Sequence, residues 1–129
     1  MDSLYALNSS VTFEVIMAAP QHIYHISNQS DWDSQADSIE YSLKSLDVEG
    51  FIHCSKFEQI PATLKRFFAE HEDILIFKID TKRLASSLIY EASSDGSGFF
   101  PHAFGPINKS SIIEIYQFPF DDLLISKEI

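Results

Sequence analysis

The sequence has a single cysteine, Cys54, among 129 residues. An intrachain disulfide is therefore excluded, and so is a zinc site built on thiolates. A lone thiol suits a reducing compartment, and a cytoplasmic location is expected. Cationic side chains are scarce as well: 9 Lys and Arg stand against 19 Asp and Glu, for a net charge of −10. Only Lys65-Arg66 and Lys82-Arg83 are adjacent. Phosphate backbones are held by clusters of such cations, so neither nucleic acid nor an anionic membrane surface is expected as a partner. Glycine (4) and proline (5) are too few for a linker-rich or low-complexity chain. No apolar run approaches the roughly 20 residues of a membrane helix. The opening MDSLYALNSS has an acid and no basic stretch, so a secretory leader is not expected.

What is abundant is apolar mass. The hydrophobic fraction is 45%, with 11 Phe, enough for the core of one domain. That domain is read as residues 22–117, with an extension at 1–21 and a tail at 118–129. VTFEVIM (11–17) reads as an edge strand or ordered arm. QHIYHIS (21–27) is β-branched and aromatic, and alternation puts Ile23, His25 and Ser27 on one face of a strand. SDWDSQAD (30–37) reads as a short helix capped by Ser30 or Asp31 and anchored by Trp32. A helix is expected from Gln59 to Glu70, with Pro61 in its first turn and Ile60, Leu64, Phe67 and Phe68 as its apolar stripe. DILIFKID (73–80) has the near-continuous apolar pattern of a central strand. LIYEAS (88–93) and SIIEIYQF (111–118) are further strands, and the last residues a short helix or tail. FFPHAFGPI (99–107) is interrupted by prolines, which argues against a regular central strand. Strands interleaved with one main helix and short ones predict an α+β domain, mixed and mainly antiparallel.

No phosphate loop, GxSxG, HExxH or dinucleotide fingerprint is present. The chemistry lies instead in polar residues set inside apolar segments: His25, His53 and Ser55 in EGFIHCS, Glu91, and His102 in FPHAFG. A polar group buried in a strand must find a partner or cost a few kcal/mol. Each one alone reads as a satisfied core residue. Together, if they converge, they make a polar pocket with apolar walls. His25, His53 and His102 are expected to line one cleft with Ser55, while Phe51 and Ile52 enter the core. Gly50 is read as a close-approach position, and Glu49 as solvated in preference to a place at the cleft rim. Cys54 alternates away toward the core, against a catalytic thiol. The histidines lack ligand spacing, so no metal site is expected. His22 and His71 read as surface residues.

These segments, in this order, resemble the family known as domain of unknown function 952. The residues that carry the likeness are IYHIS, Trp32, EGFIHCS followed by Gln59, LIFKID with Leu84, IYE and FPHAFGPI, over about residues 22–117. The resemblance implies an ADP-ribosyltransferase-like fold, a split β-structure around a cleft. By strand order it implies His53 and Glu91 as catalytic candidates, with His25, His53, Ser55, His102 and Gly105 around a ligand. NAD enters only as a substrate implied in this way, and no cofactor is named. Two departures count against NAD turnover. The family's FPHIYG reads FPHAFG, so Phe104 has no hydroxyl, and no basic residues for a pyrophosphate lie near these segments.

Three functions stay open at this point. One is binding of a nucleotide-like or phosphorylated small ligand in a histidine-lined cleft. Another is an enzyme of ADP-ribosyl or NAD transfer or hydrolysis. The third is a structural or interaction protein with its cleft filled.

Overall fold

The computed structural model describes residues 20–119, so the expectations for 11–17 and for the end of the chain lie outside the described residues. The first element, β1 (His22–Asn28), alternates as its sequence requires. Ile23 turns to one core cluster, Tyr24 and Ile26 to another on the opposite face. Asn28 closes β1 and caps α1 (Gln29–Asp33), its Oδ1 accepting from the Asp31 N–H at 2.7 Å. The cap is thus Asn28 rather than Ser30 or Asp31, because the strand runs one residue further than expected. Then follow β2 (Glu40–Tyr41), α2 (Lys44–Glu49) and β3 (Ile52–His53). The short α2 was not legible in the sequence. It ends on Gly50 at φ 88°, a left-handed C-cap. A Cβ there would meet nothing within 4 Å, so the conformation demands glycine and close approach does not.

A 3₁₀ turn at Phe57–Gln59 leads into α3 (Ile60–Phe67), with Pro61 in its first turn as expected. The helix stops at Phe67 rather than continuing to Glu70. Ile60 is buried and Leu64 and Phe68 pack beside it, but Phe67 is exposed, beneath the Arg66 guanidinium. Two strands come next, β4 (Ile74–Asp80) and β5 (Ser87–Ala92). The last strands are β6 (Phe99–Phe104), β7 (Ile107–Asn108) and, after a 3₁₀ turn at Lys109–Ser111, β8 (Ile112–Gln117). The turn between β5 and β6 is tied to α3 by the Arg66–Asp95 ion pair at 2.5 Å, and Ser93 and Ser97 also donate to the Asp95 carboxylate.

The described strands form three sheets, all antiparallel: β1-β4-β8, β3-β6-β5, and the pair β2-β7. The architecture is mixed α+β with few, short helices. β4 is central in the first sheet, as its apolar pattern required. The second sheet corrects the expectation for FFPHAFGPI, because β6 is its central strand. Pro101 is accommodated by the hydrogen-bond phase. Its carbonyl accepts from Cys54 N–H at 3.0 Å, so its missing N–H also faces the β3 side. Toward β5, Pro101 opposes Tyr90 at a position that needs no bond from it. The ladder with β3 accordingly ends at His53. The chain then crosses to β1, where Ser55 and Tyr24 exchange both backbone bonds at 2.7 and 2.8 Å.

Between the sheets, Phe77 is fully buried in a ring of aromatic edges. Tyr41 lies at 4.9 Å and 87°, Trp32 at 5.0 Å and 61°, and His25 at 5.8 Å. Such pairs add ~0.5–1.5 kcal/mol each beyond area burial. Phe77→Ala is expected to cost ~3–5 kcal/mol. A urea melt checks this: a midpoint shift equivalent to less than about 1 kcal/mol would show that Phe77 is not the centre of the packing.

Candidate functional site

Strand β6 alternates cleanly. Pro101 and Ala103 are buried toward the core, while His102 and Phe104 turn to the opposite face. The register His53↔His102 places His53 beside His102 on that outer face, and Ile52↔Ala103 faces the core. Because Cys54 and Pro101 share a ladder bond, His53 and His102 form a non-hydrogen-bonded pair, the pair type with the closest side chains. Their ring centroids are 5.2 Å apart. Phe51 alternates with Ile52 and lies on the same face. Its ring stacks on His102 at 4.0 Å and 12°, meets His53 edge-on at 4.8 Å, and lies 5.3 Å from Phe104. The expectation that Phe51 enters the core is thus reversed by the phase of β3.

Each imidazole has a carboxylate partner. His102 Nδ1 donates to Glu91 Oε1 at 2.6 Å. Glu91, on β5, opposes Phe100 of β6, two residues along from His102, so the bond runs diagonally across the ladder. His53 Nε2 donates to Glu49 Oε1 at 2.8 Å, across the Gly50 cap. Glu49 is therefore a partner of the site and not merely solvated. The left-handed cap at Gly50, between Glu49 and His53, folds the two together. Phe51 was missed although alternation alone puts it beside His53. The Glu91–His102 pair can hold a proton at Nδ1 while leaving a lone pair at Nε2, and His102 is largely covered whereas the His53 side chain is 58% exposed.

The remaining candidates lie elsewhere. His25 does not share this space. Its ring sits in the core against Tyr41 and Phe77, and its Nδ1 donates to the His53 carbonyl at 2.7 Å. It is 3% exposed, and desolvation lowers its pKa to about 4, so it is neutral at pH 7. With Nδ1 protonated, Nε2 is an acceptor, buried without a hydrogen-bond partner. Alternation holds for β1, but the face it assigns to His25 is the inter-sheet core. Ser55 is likewise buried and serves through its backbone to Tyr24, rather than facing a cleft. Gly105 packs against Ser86, where a Cβ would come within 2.7 Å of Ser86 Cβ. Cys54 is buried and its thiol is pushed up to about 12 by burial, which removes it as a nucleophile. Among the described residues no three His, Cys, Asp or Glu side chains are grouped to hold a metal ion.

The fold is thus a mixed α+β domain with antiparallel sheets and few, short helices, and a histidine pair lies on the outer face of one sheet. A family model described as "Protein of unknown function (DUF952)" matches residues 26–115, and the chain belongs to this family. Among solved structures, the crystal structure of protein CC0527 from Caulobacter crescentus is similar, with 27% identity and a TM-score of 0.68. That similarity covers 78% of this chain and 88% of CC0527. The solution NMR structure of the same protein gives 26% identity and a TM-score of 0.66, over 79% of this chain and 88% of the other. No curated protein matches. Among the described residues no helix is long and apolar enough to cross a membrane.

The buried neutral His25 makes stability depend on pH. An unfolded histidine titrates near 6.5, and the folded one at about 4. Between these values the unfolded chain binds more protons, so stability present above pH 6.5 is lost as pH falls toward about 4. The loss from this group is on the order of 3 kcal/mol. Urea melts from pH 7 to pH 4 of the parent and of His25→Gln, which keeps a donor and does not titrate, check it. The parent is expected to show the steeper fall, and parallel curves would return the pH dependence to the carboxylates.

Proposed function

We propose that the outer face of the β3-β6-β5 sheet binds a small nucleotide-like or phosphorylated ligand. The observation that carries this reading is the pair of imidazoles, His53 and His102, set side by side on a stacked Phe51 and each oriented by a carboxylate. Carboxylate-oriented imidazoles have a fixed tautomer and present a defined nitrogen to a ligand. Exposed Phe104 and Ile89 beside them offer apolar surface to a flat ring. The ADP-ribosyltransferase-like fold that the sequence resemblance implies favours a nucleotide-like molecule, and fold by itself fixes no activity.

A second reading is an enzyme of ADP-ribosyl or NAD transfer or hydrolysis, favoured by the 2.6 Å Glu91–His102 bond. In that reading Glu91 and the two imidazoles act on the reacting end of the ligand, with NAD as substrate.

Thermal and urea melts with NAD, ADP-ribose, AMP and adenosine test the binding reading. A true ligand at a hundredfold excess over Kd is expected to add about 2.7 kcal/mol. His53→Ala, at an exposed position, is expected to cost about 1 kcal/mol or less in the ligand-free protein while reducing that gain. No stabilisation by any of these compounds would sink the proposal. Nicotinamide release from NAD, abolished by Glu91→Ala, would establish the enzyme reading instead.

A further inference from the structure

We propose that His53 and His102 form a two-nitrogen chelate for one divalent transition ion of the Zn²⁺ and Ni²⁺ class, on the outer face of the β3-β6-β5 sheet. The inference goes beyond the binding reading above and stands without it.

Ligand spacing along the sequence does not reveal such a site, because the two rings come from different strands. They meet through the register His53↔His102, as a non-hydrogen-bonded cross-strand pair. Their centroids are 5.2 Å apart and their planes cross at 74°. Metal–nitrogen bonds of about 2.0–2.1 Å at near-tetrahedral angles put two ligating imidazoles at a centroid separation of roughly 5 Å. The strand register thus already sets the pair at chelating distance.

The second nitrogen of each ring is engaged as it is in metal-binding histidines. A carboxylate only accepts hydrogen bonds, so the proton of each contact is on the imidazole. His102 Nδ1 donates to Glu91 at 2.6 Å, and His53 Nε2 donates to Glu49 at 2.8 Å. In the neutral rings the lone pairs are then on His102 Nε2 and His53 Nδ1. A carboxylate behind a ligating imidazole fixes its tautomer and raises the basicity of the nitrogen that binds the metal. Phe51, stacked on His102 at 4.0 Å and 12°, holds the plane of that ring.

Charge and donor type point the same way. Two carboxylates flank the pair, and the chain carries a net charge of −10. Imidazole nitrogen suits Zn²⁺, Ni²⁺ and Cu²⁺, whereas Mg²⁺ and Ca²⁺ prefer oxygen. Among the described residues no third His, Cys, Asp or Glu completes a closed cage. The remaining positions on the ion therefore fall to water or to an oxygen of a bound molecule.

The experiment titrates Zn²⁺ and Mg²⁺ into the full chain by calorimetry, at a pH where both rings are neutral by their nitrogen shifts. Imidazole nitrogen NMR follows the Zn²⁺ titration. One Zn²⁺ per chain is expected, with His53 Nδ1 and His102 Nε2 shifting together, the His71 ring unmoved and no response to Mg²⁺. His53→Ala, at an exposed position, is expected to keep the fold and to weaken Zn²⁺ about a hundredfold, the loss of one arm of the chelate. Glu91→Gln leaves both ligating rings in place and is expected to weaken Zn²⁺ about tenfold. His71→Ala is expected to bind as the parent does. Absence of Zn²⁺ binding, shifts at one ring only, unchanged affinity in His53→Ala, or equal binding of Mg²⁺ overturns the proposal. None of these outcomes touches the nucleotide reading, which the melts with metal-free nucleotides decide.

Discussion

Residues 52 to 55 serve two sheets at once, and the rest of the structure depends on that sharing. Pro101 has no N–H to return to Cys54, so β3 can pair with β6 only as far as His53. The freed chain crosses to β1, where Ser55 and Tyr24 close a pair of backbone bonds. His25 fastens the same crossing from the core by donating to the His53 carbonyl. One segment thus sets the distance between the sheets, and Phe77, Tyr41, Ile52 and Cys54 fill the space it defines.

The core and the outer face are therefore linked by one short peptide. His53 gives its carbonyl inward to His25 and its imidazole outward to Glu49. The buried histidine is neutral because desolvation outweighs its hydrogen bond. The exposed one keeps access to solvent. Two residues of the same type, linked through one backbone carbonyl, have opposite tasks because one faces a low-dielectric core and the other faces water.

The face itself shows how little sequence distance matters in an antiparallel sheet. Glu49, His53, Glu91 and His102 come from three strands and a helix end: the Gly50 turn joins Glu49 to His53, the β5-β6 register brings Glu91 to His102, and the register His53↔His102 sets the two pairs side by side. Phe51 gives the group its rigidity by stacking on the more covered imidazole. A slip of that register by one residue would send His102 to the core and Ala103 outward, so the site and the packing are fixed together.

Local pattern was enough to read β1, β4, β5 and β8, the first turn of α3 with Pro61, the inward thiol of Cys54 and the α+β class, because each follows from alternation, propensity or a proline's missing donor. It also picked out His53, Glu91 and His102, since polar residues inside apolar strands need partners. Three things were beyond it. The side on which Pro101 lacks its bond depends on which neighbour each strand meets, so FFPHAFGPI could not be read as a central strand. Whether an alternating histidine faces the core or the open side depends on which face the second sheet covers, so His25 and His53 looked equivalent. The turn at Gly50 that folds Glu49 onto His53 is a left-handed cap to a helix that packing, not propensity, stabilises. Sequence decided which residues alternate; tertiary structure decided which side of each alternation is buried, because burial belongs to the pair of sheets and not to either strand alone.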